Sequence, residues 1–182
     1  KQSVSLTFTM KDINSIKRGR WELCNLSTNI EKKIVVRLRP GDTFNRKENR
    51  GDDFALTDNL IFAEENLPIH QLYSSSRIII FEGLSTGIGE CFGLTKPFLL
   101  FLNESYLELR QSRLCGFVKD LEDLGMVCSS AEELCKNLTE DYLTRYYSDS
   151  FQSKLEVIRS LYVPTSKNYL KEWIHFFGEM NA

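Results

Sequence analysis

The run Arg77–Phe101, RIIIFEGLSTGIGECFGLTKPFLLF, sets the tightest limit on what this chain can fold into. Ile78, Ile79, Ile80 and Phe81 form a β-branched and aromatic run that reads as a buried strand, stopped at Glu82-Gly83 where glycine makes a tight turn cheap. Ser85 or Thr86 can cap a helix over Thr86–Gly93, with Ile88 and Phe92 four apart on one face and Gly93 closing it. Beyond Lys96-Pro97, the residues Phe98, Leu99, Leu100 and Phe101 make a second fully apolar run. Strand, turn, short helix and strand in so few residues imply a parallel pair joined by a right-handed crossover. The Gly83-Leu84-Ser85-Thr86-Gly87 turn at the carboxyl end of the first strand leads into exposed helix N–H groups, which suits an anion.

A chain of 182 residues is long enough for one substantial core and short for two. The net charge of −2 gives no field that would steer a nucleic acid, so a nucleic-acid partner is not expected. Cys24, Cys91, Cys115, Cys128 and Cys135 are odd in number and widely spaced, without a C-x-x-C pair, which fits reduced thiols in the cytoplasm better than disulfides or zinc. No apolar run approaches the ~20 residues that span a bilayer, and no signal-peptide pattern is present. The chain opens without Met into VSLTFTM, which suggests a domain belonging to a longer protein.

Along the chain, Val4–Met10 alternates with a period of two and predicts a strand, and Arg20–Ile30 predicts a short helix. Ile34–Leu38 predicts a strand ended by Arg39-Pro40-Gly41-Asp42. Thr43–Thr57 is polar and reads as a solvated loop, Ile61-Phe62 as a brief strand, and Pro68–Ser75 as a helix with Pro at its first position and Ile69, Leu72 and Tyr73 on one face. After the central stretch, Ser105–Leu121 predicts a helix closed by Gly125, Met126–Cys128 an edge strand, and Ser129 or Ser130 the cap of a helix with Leu134 and Leu138 inward. A last helical region, Tyr142–Phe177, is expected to be interrupted at Val163-Pro164. The pattern predicts a Rossmann-like three-layer α/β domain with four or five parallel strands over residues 1–150. A C-terminal helical extension over 151–182 would pack on it or on a missing N-terminal domain.

Each candidate group has a functional and a structural reading. Ser85, Thr86 and Gly87 either hold a phosphate beyond the strand end or form an ordinary strand-to-helix turn. Glu90, one helical turn after Thr86, either accepts hydrogen bonds from ribose hydroxyls or faces solvent. Arg37 and Arg39 share one face of their strand, suited to bidentate phosphate contacts or to salt bridges. His70 and His175 lie in separate helices, with His70 the stronger functional candidate. Cys91 either gains a lowered pKa near the helix start or serves as a small buried apolar side chain. No metal-ligand cluster or Ser-His-Asp order stands out.

The order VVRLRP, polar loop, short helix, SSRIIIFEGLSTGIGECFGLTKPFLLF, a helix with Arg110 and Arg113, and a final aromatic helix resembles the carboxyl-terminal half of transferases of surface-carbohydrate biosynthesis. These are similar to glycosyltransferases with two Rossmann domains, the GT-B fold. The resemblance implies that this half binds a nucleotide-activated donor and that the acceptor and catalytic base come from the other half. It further implies that Ser85 and Thr86 meet the donor phosphates, Arg37 the diphosphate, and Glu90 the ribose or sugar, with no metal or other cofactor. The full-length protein is then expected in the cytoplasm, with peripheral membrane association. Two rivals stand beside it: a glycerophosphate-type transferase using a nucleotide-alditol, and a non-enzymatic module whose Trp173, Ile174, Phe176 and Phe177 dock a partner.

Overall fold

The computed structural model describes residues 33–37, 60–63, 67–102 and 115–163. The expected elements at Val4–Met10 and Arg20–Ile30, together with Arg39, Arg110, Arg113 and the aromatic tail from Trp173, lie outside the described residues.

Two apolar runs carry the central sheet, because every side chain in them is buried. Strand β3 spans Ile79–Glu82 and β4 spans Phe98–Phe101, and all four residues of each are buried. A strand that is apolar throughout has both faces covered, which places it inside a three-layer α/β arrangement. The strands are parallel, with Ile79 opposite Phe98 and Glu82 opposite Phe101. Strand β5, Val127–Cys128, adds to the far side of β4 with Leu100 opposite Val127. A second parallel pair joins β1, Ile34–Val36, to β2, Leu60–Phe62, with Val35 opposite Ile61. All pairings among the described strands are thus parallel.

Helices alternate with these strands. Helix α1 covers Ile69–Ser75 and α2 covers Gly87–Gly93. They are followed by α3 at Cys115–Asp123, α4 at Ala131–Asn137, α5 at Glu140–Tyr146 and α6 at Asp149–Tyr162. Their starts follow local chemistry. Ser130 Oγ accepts from the Glu133 amide at 3.2 Å, while the Glu133 carboxylate accepts from the Ser129 amide at 2.8 Å, a capping-box variant. Thr139 and Ser148 cap α5 and α6 in the same way. Gly125 ends the turn after α3 at φ 67°, in the left-handed region where glycine carries no Cβ penalty.

Two expectations needed correction. The carboxyl-terminal helical region is broken at Tyr147-Ser148 before it reaches Val163, because Ser148 turns its hydroxyl to cap α6. Helix α2 ends at Gly93 as expected, and the left-handed residue that follows it is Thr95 at φ 50°. Pro68 precedes α1 as its cap residue rather than occupying the first helical position.

One aromatic line fixes the middle of the core. Tyr73, Phe81, Phe98 and Phe92 meet edge to face in sequence, with centroids 6.3, 6.0 and 5.4 Å apart. The Lys96-Pro97 segment is a structural junction at the amino end of β4. Its Lys96 carbonyl accepts from Tyr146 Oη at 3.1 Å, and Phe98 accepts from Tyr142 Oη at 2.6 Å. Lys96 Nζ donates to the Ser74 carbonyl at 3.2 Å, tying α1 to the same junction. At the carboxyl end, Phe151, Leu155 and Ile158 of α6 join this core, and α6 packs on α3 through an edge-on Phe117–Tyr162 contact with centroids 5.1 Å apart.

Candidate functional site

Parallel strands present their carboxyl ends together, and the loops that leave those ends are where α/β folds place ligands. Glu82 closes β3 and is 1% exposed. Gly83 follows at φ 89° and turns the chain toward α2. Ser85 is partly buried, Thr86 is exposed, and Gly87 is buried.

The turn uses some of its own donors. Ser85 Oγ accepts from the Gly87 amide at 3.2 Å, and the Ile88 and Gly89 amides reach the Ser85 and Thr86 carbonyls, each at 3.1 Å. Thr86 already has helical angles and makes no side-chain cap bond, so Ser85 supplies the hydroxyl that closes the start of α2. Among the described residues the Ser85 and Thr86 amides donate to no protein acceptor. The turn therefore offers two amides without a protein acceptor, the Thr86 hydroxyl and the Ser85 hydroxyl proton.

Glu90 is half-buried, one turn into α2. Burial pushes its carboxyl above the usual carboxylate range, and the nearby charges of Arg37 and His70 pull it part of the way back. Two sequence candidates from separate elements, Arg37 after β1 and His70 on α1, thus fall within electrostatic range of a third, Glu90 on α2. His70 is exposed; Arg37 is partly buried, with its Nη1 shut off from solvent. Arg39 lies outside the described residues.

Cys91 is fully buried, and burial drives its thiol well above the ordinary value, with Glu90 adding to the rise. The lowered pKa considered for it is excluded by that environment, and the small apolar role remains. Among the described residues no group of three or more His, Cys, Asp or Glu side chains is placed to hold a metal ion.

Sequence reasoning passed over Tyr73. It was placed on the apolar stripe of α1, which is correct for its ring, but its hydroxyl reaches the first residue of α2. A Cβ built at Gly87 would overlap Tyr73 Oη and lie 2.9 Å from a Phe81 ring carbon. Burial raises the phenol far above its ordinary value; Cys91 and Glu90 add to this and Arg37 opposes it. The signal was available: a tyrosine on a core-facing stripe carries a hydroxyl inward, where it needs a partner.

A family model for LIC12162 family transferases matches residues 10–177, nearly the whole chain. The chain belongs to that family. Among solved structures, this family member is similar to a UDP-GlcNAc 2-epimerase from Neisseria meningitidis bound to UDP-GlcNAc. The TM-score is 0.52 at 18% identity, covering 88% of this chain and 44% of the epimerase. It also overlays the glycosyltransferase VinC in complex with dTDP, with a TM-score of 0.47 at 18% identity, covering 88% of this chain and 37% of VinC. No curated protein matches it. The likeness to the epimerase gives the LIC12162 family chain the Rossmann-like architecture of GT-B-type proteins, and the chain spans less than half the length of either structure. Among its described residues no helix is long and apolar enough to cross a membrane.

Proposed function

We propose that this chain is the donor-binding half of a glycosyltransferase that moves a sugar from a nucleotide-activated donor in surface polysaccharide biosynthesis. The observation that carries the reading is the convergence of Arg37 and His70 on half-buried Glu90 beside the Ser85-Thr86 turn. A nucleotide-sugar offers a diphosphate and vicinal hydroxyls, and this arrangement supplies a group for each. The Arg37 guanidinium and the two unpaired turn amides suit phosphate oxygens, while the Glu90 carboxylate accepts from hydroxyls. As the sugar leaves, negative charge grows on the diphosphate, and a fixed guanidinium stabilises that charge more than it stabilises the intact donor. This chemistry calls for no resident cofactor.

The acceptor and the catalytic base are assigned to an N-terminal domain outside this chain, with the whole protein in the cytoplasm and peripherally associated with a membrane. The UDP-GlcNAc held by the Neisseria epimerase makes a uridine donor the first to try.

The test is a calorimetric titration with UDP, GDP, CDP and CMP. One nucleotide is expected to bind, and Arg37→Ala is expected to lose about 10- to 100-fold in affinity, the worth of a charge-assisted hydrogen bond. Ser85→Ala combined with Thr86→Ala should weaken it as well. Preference for CDP or CMP would point to a nucleotide-alditol donor. Binding of none of the four at millimolar concentration would refute the donor site.

A further inference from the structure

We draw no further inference here: the strongest candidate, the exposed apolar pair Val157 and Leu161 one helical turn apart on the outer face of α6, carries none because nothing in the structure shows what covers it.

Discussion

Gly87→Ala sets two effects of known sign against each other. Alanine is the better helix former, by about 1 kcal/mol over glycine in a helix interior. Against that, the new Cβ would overlap Tyr73 Oη and come within 2.9 and 3.3 Å of two Phe81 ring carbons. Neither ring can step aside, because both are 0% exposed and Phe81 is itself held edge-on against Phe98 at 6.0 Å. Overpacking of this kind costs about 1–3 kcal/mol, and the stiff aromatic surroundings argue for the upper part of that range. The net loss is then about 1–2 kcal/mol, and a chain of this size should melt about 2–8 °C lower. Urea unfolding followed by far-ultraviolet circular dichroism reads the difference as a shift in midpoint at constant slope. The double variant Gly87→Ala/Tyr73→Phe should recover about half of the loss, since the hydroxyl supplies the overlap and Phe81 the remaining crowding. A Gly87→Ala protein as stable as wild type, or a double variant with simply additive effects, would refute the packing account.

Three further outcomes follow from the same structure. Tyr142→Phe removes the buried donor to the Phe98 carbonyl at 2.6 Å and should cost about 1–3 kcal/mol by urea unfolding; an unchanged midpoint would show that the bond is not made. Cys128 has its thiol pushed up to about 11 by burial, with the Asn137 amide opposing the rise, whereas Cys115 is exposed. Iodoacetamide at pH 8 should therefore label Cys115 in the folded chain and reach Cys91 and Cys128 only on unfolding, as peptide mass mapping would show. Nucleotide affinity should fall as pH drops through the raised Glu90 value, because only the carboxylate accepts two hydroxyl protons, and Glu90→Gln should flatten that limb of the profile. The sign for stability is opposite. A carboxyl raised on folding binds its proton more tightly in the native state, so its contribution is most favourable at low pH and is lost as pH rises through the folded value.

Much of this fold could be read from local pattern. Ile78–Phe81 and Phe98–Phe101 are apolar without alternation, which requires burial on both faces and hence helices on both sides. The short intervening segment held a helix and a turn, which dictates a parallel pair. Capping chemistry offered Ser129 or Ser130 for the start of α4, and the Ser130 hydroxyl is the one found there. The break at Tyr147-Ser148 was missed because Tyr146, Tyr147 and Phe151 continue an apolar pattern across it, and the capping of α6 by the Ser148 hydroxyl was not read from the sequence. The end of α2 at Gly93 was read correctly from the glycine, while the left-handed Thr95 beyond it carries no such local signal.

Sequence by itself determined which segments are strands and helices, which of their faces are apolar, and that the turn after β3 would carry glycine and hydroxyls. These follow from neighbours within a few positions, where sterics and side-chain hydrogen bonds act directly on the backbone. It could not determine that Arg37, His70 and Glu90 share one locality, or that the Tyr73 hydroxyl ends against Gly87. Those residues are separated along the chain and meet only once parallel pairing and helix packing fix the elements in space. The electrostatics were decided at the same level: whether Glu90 titrates high and Cys91 stays inert depends on the water that packing removes, which no local pattern records.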